Sequence, residues 1–437
     1  MSYRNAPLHP VLRFIYAWLR LTAWLGIVVF YRRRLLLGRE HLRFDGPAIV
    51  IVNHPNTLMD VLVPGVHIHQ EMFFLANYGL FKNPVSNWLL RRLFCIPVKR
   101  REDVAEGEAR DLDATFEQCY RHLEKNGVLF IAAEGTSWMN RFVRPLKTGT
   151  ARIGFGTEAR NGWQLGVKII PIGLSYPAPN LFRSTSVVQV GAPVWPRDFA
   201  ENWQKNHESA VDDLTQTLEE QLKNLTIHTR DEAGEQLTGR LETLLHNSRP
   251  LPLRDEFFRS RELARLFLDD AALSGQTSQY FDTLTREGLR DAGMVAAARP
   301  NAGAAMLTRG ALLLAGFPLF AAGYLFWLLP CWLPALLNRK LNLYIGYSST
   351  VKILAGLVTF PLAIWGAFRG IKLLLPDAWP AYALALTAFP LGLFAERWLD
   401  AARQFDDWRK ARSFARRQPR LFDQLLRDRQ LIFSRLP

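Results

Sequence analysis

Cysteine is nearly missing: the 437 residues hold only Cys95, Cys119 and Cys331, odd in number, far apart and without C-x-x-C spacing. That excludes a disulfide framework and gives no support to a zinc site, so a reducing, cytosol-facing setting is the default. Acidic residues are also short, 40 Asp and Glu against 54 Lys and Arg, a formal charge of +14. The excess calls for an anionic partner: nucleic acid, a phosphorylated substrate or an anionic membrane face. Nucleic acid is the weakest of these, because the positive charge flanks apolar segments and no nucleic-acid-binding module is present. Disorder and low complexity are excluded too, since hydrophobic residues make up 49% of the chain and charged ones 22%.

Charge is absent altogether from Gly310 to Asn338, 29 residues against the roughly 20 that cross a bilayer core. Uncharged runs follow at Ile353 to Phe368 and Ala378 to Ala395. One such run fits a buried soluble helix; three in succession point to membrane insertion. Pro330 and Pro334 inside the first run suggest a hairpin that returns to its own side. Basic residues crowd both sides of the region, so the positive-inside tendency favours an even number of crossings, the hairpin being followed by a pair of spans. The part of the chain that precedes this region is then expected on the cytoplasmic face of an integral membrane protein.

At the N-terminus, Val11 to Tyr31 is apolar except for Arg13 and Arg20, seven residues apart and so on one helical face, and Arg32, Arg33 and Arg34 follow. This fits a helix in the membrane interface with its arginines on anionic head groups, and fits a core helix as well. A cleaved signal peptide is not expected, given the internal arginine and the lack of a small-x-small site.

From about Glu40 to Pro196 short apolar runs alternate with helical stretches. Pro47–Val52, Glu71–Leu75, Phe94–Val98, Val128–Ala132, Val167–Ser175 and Val187–Val190 read as strands, and Asp103–Lys125 and Thr150–Arg160 as helices. The pattern is that of an α/β domain with a largely parallel sheet. From about Phe199 to Ala298 the chain is polar with helical spacing; Val211, Leu214, Leu218, Leu222 and Leu225 form one stripe. Such an arm either packs on the catalytic domain or pairs with a second copy as a homodimer. The expected division is residues 1–37, an interface helix; 38–198, the catalytic domain; 199–300, the helical arm; 301–396, the membrane region; and 397–437, a basic helical tail.

The first strand ends in Asn53-His54-Pro55-Asn56-Thr57-Leu58-Met59-Asp60. A His oriented by a carboxylate through one ring nitrogen takes a hydroxyl proton with the other, and its reference pKa of about 6.5 suits a general base. An isolated pair of this kind is more often a strand-end His beside a helix-capping Asp. Two further strand ends change that balance. Leu129 to Asn140 ends in Glu134-Gly135-Thr136-Ser137, followed by Arg141, Arg144, Lys147 and Arg152, and Phe94 to Arg101 closes on Lys99 and Arg100. Cations and hydroxyls gathered at strand ends suit a phosphate.

These segments resemble the phospholipid/glycerol acyltransferase superfamily over about Gly38 to Val194. Its ordered blocks look like Asn53-His54 with Asp60, Ile96-Pro97-Val98-Lys99-Arg100, Glu134-Gly135-Thr136-Ser137 and Ile169-Ile170-Pro171-Ile172. The resemblance implies a glycerolipid acyltransferase-like α/β domain, with His54 as base and Asp60 as its orienting partner. It implies an acceptor site lined by Asn53, Lys99, Arg100, Glu134, Gly135, Thr136, Ser137, Arg144, Lys147 and Arg152. No metal or other cofactor is expected; the donor is acyl-CoA or an acyl-ACP thioester, the acceptor glycerol 3-phosphate or a related glycerophosphate, and the surroundings membrane lipids. Two departures stand out. Five residues separate His54 from Asp60 where four are usual in the family, and yeast-type glycerol-3-phosphate acyltransferases and their bacterial relatives share the longer spacing. The usual Arg after E-G-T is replaced by Ser137 and Trp138, which shifts phosphate binding toward Arg141, Arg144, Lys147 or Arg152.

Three other readings compete. A lysophosphatidate or lysophospholipid acyltransferase has the same motifs. A serine hydrolase would need Gly173-Leu174-Ser175-Tyr176-Pro177 as its nucleophile elbow, whose final Gly is missing. A non-catalytic lipid-binding protein would have no use for intact His54, Asp60 and Glu134. Backbone N–H groups near Gly135 are the candidate oxyanion donors.

Overall fold

A computed structural model describes residues 9–92, 94–99, 112–266, 270–375, 377 and 379–436. The chain divides into two compact units, one of residues 1–228 with 344–350, the other of 229–343 with 351–437.

The first unit begins with α1 (Pro10–Phe30), β1 (Tyr31–Leu37), β2 (Ala48–Val52), α2 (Met59–Gly65), β3 (Met72–Asn77), α3 (Pro84–Arg92) and β4 (Cys95–Val98). It continues with α4 (Asp113–Glu124), β5 (Val128–Ala132), α5 (Gly149–Arg160), β6 (Lys168–Ser175), β7 (Ser184–Val190), α6 (Ala200–Lys205) and α7 (His207–Leu225). The seven strands form one sheet in the order β1-β7-β6-β2-β5-β3-β4. Only β6 and β7 pair antiparallel; β6, β2, β5, β3 and β4 all run the same way. Central strands covered on both faces need unbroken apolar runs rather than alternation. β2, AIVIV, is buried at every position and sits between β5, VLFIA, and β6, KIIPIGLS. Ile49, Ile51, Leu129, Ile131 and Ile169 pack with Cys119 and Leu123 of α4 and with Ile153 and Phe155 of α5. The stripe Val211, Leu214, Leu218 and Leu222 of α7 joins this same core, so the start of the helical arm belongs to the first unit.

Two features of the N-terminus differ from the sequence expectation. Tyr31–Leu37, which includes the arginine cluster, is a strand, paired parallel with β7. As the sheet's last strand, β1 pairs on one side only, and an edge tolerates the charged side chains that would be expelled from a centre strand. Arg13 and Arg20 have protein partners. The Arg13 Nε lies 3.2 Å from Glu71 Oε1, and an Arg20 terminal nitrogen donates to the carbonyls of Ile68 and His69 at 3.1 and 3.3 Å. These carbonyls lie just before β3, outside any ladder, and need a donor. Another face of α1 carries Phe14, Trp18, Leu21 and Leu25, all exposed.

The second unit is helical: α8 (Glu232–Ser248), α9 (Leu253–Leu266), α10 (Ala271–Arg286), α11 (Asp291–Ala298), α12 (Ala302–Leu341), α13 (Ser348–Leu374), α14 (Trp379–Arg417) and α15 (Pro419–Ser434). α13 starts in the first unit and continues into the second at residue 351. Leu241, Leu263, Tyr280, Met294, Phe414 and Leu425 share one core. The uncharged stretch from Gly310 is not a hairpin: α12 runs unbroken for 40 residues with Pro318, Pro330 and Pro334 inside it. Neighbouring side chains and backbone can re-satisfy what a helical proline breaks. Here α12 packs along α14. Gly323 sits so close that a Cβ there would lie 2.5 Å from the Leu391 carbonyl oxygen, and Trp327 Nε1 donates to the Ala388 carbonyl at 2.7 Å.

Among the described residues, three helical stretches are long and apolar enough to cross a membrane: Pro10–Phe30, Ala302–Leu341 and Ile345–Leu374. The third uncharged run, from residue 379 on, forms the first part of α14 and is not one of these. Leu314 of α12 and Leu373 of α13 are each 80% exposed.

Candidate active site

Because β6, β2 and β5 are adjacent and parallel, the loops that leave their C-terminal ends meet. Asn53 begins the loop after β2. Its amide nitrogen donates to the Leu174 carbonyl at 2.9 Å and its oxygen accepts the Leu174 N–H at 2.7 Å, so the side chain prolongs the β2–β6 ladder by one step. Both ends of the amide are thus engaged by backbone groups of β6.

His54 follows, 18% exposed through its side chain, and its Nδ1 lies 3.0 Å from Oδ2 of Asp60, whose side chain is fully buried. A carboxylate opposite Nδ1 puts the ring proton there and leaves Nε2 as the basic nitrogen. The same Oδ2 accepts the backbone N–H of Asn56 at 2.6 Å. Burial pushes the Asp60 carboxyl up, while the hydrogen bonds from His54 and Asn56 oppose the shift and favour the charged form.

The five-residue spacer is taken up by one unusual residue. Thr57 has φ +47°, the left-handed region, which costs a β-branched side chain about 1–2 kcal/mol. Around it the chain turns tightly: the Met59 N–H donates to the Asn56 carbonyl at 3.0 Å and the Asp60 N–H to the Thr57 carbonyl at 3.2 Å. Asp60 thus enters α2 already facing back toward His54. The Thr57 N–H donates to Ser137 Oγ at 3.1 Å.

Glu134, just beyond β5, has its oxygens on two backbone amides: Oε1 accepts the His54 N–H at 3.0 Å and Oε2 the Arg144 N–H at 3.3 Å. Burial lifts its carboxyl to about 7, against those two hydrogen bonds. Glu134, expected from the sequence to line the acceptor site, ties the loop after β2 to the loop after β5. Gly135 adopts φ +77° and its N–H donates to the Ala132 carbonyl at 3.0 Å, so that amide is not the oxyanion donor expected near it. Thr136 lies in the same turn, and the Trp138 N–H donates to the His54 carbonyl at 3.1 Å.

The cations divide. Arg144 stands beside the site: its guanidinium carbon is 4.2 Å from the Trp138 ring centroid and 4.8 Å from that of Phe142. The Trp138 ring therefore offers a platform to the Arg144 guanidinium. Lys147 is held by its N–H on the Ala133 carbonyl at 2.9 Å, and its side chain runs past Gly135. Arg152 is exposed in the first turn of α5, with its Nε 3.3 Å from Thr148 Oγ1. Lys99 lies at the end of β4, its Nζ 5.1 Å from the Tyr78 ring centroid. Arg100 falls outside the described residues.

Sequence reasoning missed the aromatic floor. Tyr176, the residue after β6, is buried and stacks on Tyr31 with centroids 5.7 Å apart. Burial and the adjacent Asp60 charge drive its hydroxyl well above the usual tyrosine range. The Asn56 amide nitrogen donates to the Tyr31 hydroxyl at 3.1 Å and to the Pro179 carbonyl at 3.2 Å. A buried Tyr at a strand end gives no sequence signal apart from its adjacency to Ser175. Ser175 itself is not an exposed nucleophile, for its Oγ is buried and accepts the Ile227 N–H at 3.2 Å, which removes the hydrolase elbow.

Residues 34–175 match the family model described as Acyltransferase, a stretch that includes His54, Asp60 and Glu134. The chain is 29% identical over 124 residues to glycerol-3-phosphate O-acyltransferase 1 of Saccharomyces cerevisiae, a match covering 28% of this chain and 16% of that protein. It is 25% identical over 156 residues to the chloroplastic 1-acyl-sn-glycerol-3-phosphate acyltransferase BAT2 of Brassica napus, covering 36% of this chain and 40% of the other. The chain therefore spans less than half the length of these curated relatives. Among solved structures, the Thermotoga maritima 1-acyl-sn-glycerophosphate (LPA) acyltransferase PlsC superposes with a TM-score of 0.33 at 19% identity, over 47% of this chain and 80% of that one.

Proposed function

From the acyltransferase-family domain carried by residues 34–175, we propose that the protein is a membrane-bound enzyme that moves a fatty acyl group from a thioester to a hydroxyl of glycerol 3-phosphate. The observation that carries this reading is the His54–Asp60 pair, 3.0 Å apart at the end of a central parallel strand, with Nε2 left to act. His54 Nε2 takes the acceptor hydroxyl proton as the oxygen attacks the thioester carbonyl. Asp60 stabilises the imidazolium. Collapse of the tetrahedral intermediate breaks the carbon–sulfur bond, the proton on His54 goes to the departing thiolate, and ester and thiol leave.

Arg144, held between Trp138 and Phe142, and Lys147, running past Gly135, are the cations best placed for the acceptor's phosphate. Similarity to a 1-acylglycerol-3-phosphate acyltransferase favours lysophosphatidate as the second acceptor to try. The long apolar helices with exposed leucines support residence in a membrane, and the basic flanks support a cytoplasmic catalytic face.

The test is to incubate the full chain in lipid with labelled acyl-CoA or acyl-ACP and a panel of acceptors, and identify the product. Glycerol 3-phosphate is expected to react fastest. His54→Ala should cost about 10²–10⁴-fold in kcat; activity within a few-fold of the parent sinks the mechanism.

A further inference from the structure

The segment Tyr344–Thr350 comes from between the long helices α12 and α13, yet it folds into the catalytic unit. It lies well outside the residues matched to the acyltransferase family. Gly346, Ser348, Ser349 and Thr350 are buried there. Its polar contacts fall on three different loops. Thr57 Oγ1, in the loop after β2, donates to the Gly346 carbonyl at 2.9 Å and lies 3.5 Å from Thr350 Oγ1. The Met139 N–H, in the loop after β5, donates to the Tyr344 hydroxyl at 3.0 Å. Ser349 Oγ donates to the carbonyl of Pro179, in the loop after β6, at 2.5 Å. These loops leave the three strands that frame the His54–Asp60 pair.

The contact with Thr57 bears most directly on the dyad. Thr57 is the residue whose left-handed backbone lets Asp60 reach His54 across the long spacer, and a buried hydroxyl needs a partner. Gly346 provides that partner at a range that leaves no room for a larger residue: a Cβ on Gly346 would lie 2.6 Å from the Tyr344 ring and 3.1 Å from Thr57 Cγ2.

We propose that Tyr344–Thr350 is a positioning strap of the active site: its Gly346 carbonyl holds Thr57 in the left-handed turn that aligns Asp60 with His54. Thr57 acts through its neighbours and touches no reacting atom. This rests on the acyltransferase reading of the same site.

The test compares Thr57→Val, which keeps the shape and loses the hydroxyl, with Thr57→Ser, which keeps the hydroxyl, in the full chain in lipid. Thr57→Val is expected to lower kcat about ten-fold, with KM for donor and acceptor within two-fold of the parent. Thr57→Ser is expected to retain at least half of the parent kcat. If Thr57→Val does not accumulate folded, Ser349→Ala, which removes a different hydroxyl of the strap, carries the same expectation of lower kcat at unchanged KM. An active parent whose Thr57→Val variant stays within two-fold in kcat overturns the proposal alone, as does an equal loss in Thr57→Ser. A folded parent that transfers no acyl group refutes the acyltransferase reading, and the strap's catalytic role falls with it.

Discussion

Replacing Asp60 by Asn separates the charge of the dyad from its geometry. Oδ2 of Asp60 accepts both the His54 Nδ1 proton, at 3.0 Å, and the Asn56 N–H, at 2.6 Å. A carboxamide oxygen in the same place accepts both, so only the charge leaves. That charge matters once His54 has taken the acceptor's proton. An imidazolium and a carboxylate with charge centres about 4 Å apart attract by roughly 4 kcal/mol at an effective dielectric near 20. At about 1.4 kcal/mol per decade, the loss is close to three orders of magnitude in kcat. Stability should move the other way or not at all, because burial already opposes the Asp60 charge. The assay is the initial rate of labelled acyl transfer by the full chain in lipid, with thermal melting beside it. A folded Asp60→Asn protein within ten-fold of the parent kcat would refute the argument that Asp60 stabilises an imidazolium.

Glu134 supplies a pH signature. Its folded pKa of about 7 exceeds the unfolded value of about 4.3. The native state then binds the extra proton between these values, and the contribution to stability is greatest below about pH 4.3. It declines as pH rises toward 7, by roughly 3 kcal/mol; melting curves should lose this component in Glu134→Gln, and equal pH slopes in the two proteins would contradict it. Arg144→Ala is expected to raise KM for glycerol 3-phosphate about ten-fold or more and leave KM for the acyl donor nearly unchanged, since a hydrogen bond to a charged group is worth about 1.5–3 kcal/mol. Equal turnover of non-phosphorylated acceptors by the parent would remove the phosphate site. A chain ending at Asn301 should be released from membranes by alkaline carbonate, because α1 is tied through Arg13 and Arg20 to residues 68–71 and offers only its outer apolar face to lipid. Retention of that shorter chain would make α1 a true span.

The centre of the fold was legible because β2, β5 and β6 are buried on both faces and read as plain apolar runs. The stripe on α7 was legible for the related reason that one helical face packs into the same core. β1 escaped because three consecutive arginines mask a strand that lies at the sheet's edge, where local pattern is weakest. The continuity of α12 escaped because its prolines are read one by one, whereas packing along α14 decides whether they break the helix. In the site, residue type pointed to His54 and Asp60, which the structure brings to 3.0 Å. Residue type could not reveal that the polar ends of Asn53 and Glu134 are taken up by backbone groups. Nor could it reveal Tyr176 beneath Asp60 or the turn at Thr57, because these depend on which loops meet.

The 289 positions between Thr57 and Gly346 also set an order in time. A ribosome adding about 5–20 residues per second needs roughly 15–60 s to travel from one to the other. During that interval the sheet and the His54 loop have emerged, while the strap and the apolar helices on either side of it are still being made. A nascent or prematurely ended chain would carry His54 and Asp60 without the segment that meets Thr57. On the acyltransferase proposal, acyl thioesters would then be safe from the new chain until most of its apolar length had been synthesised, and competence would arrive together with the long apolar helices.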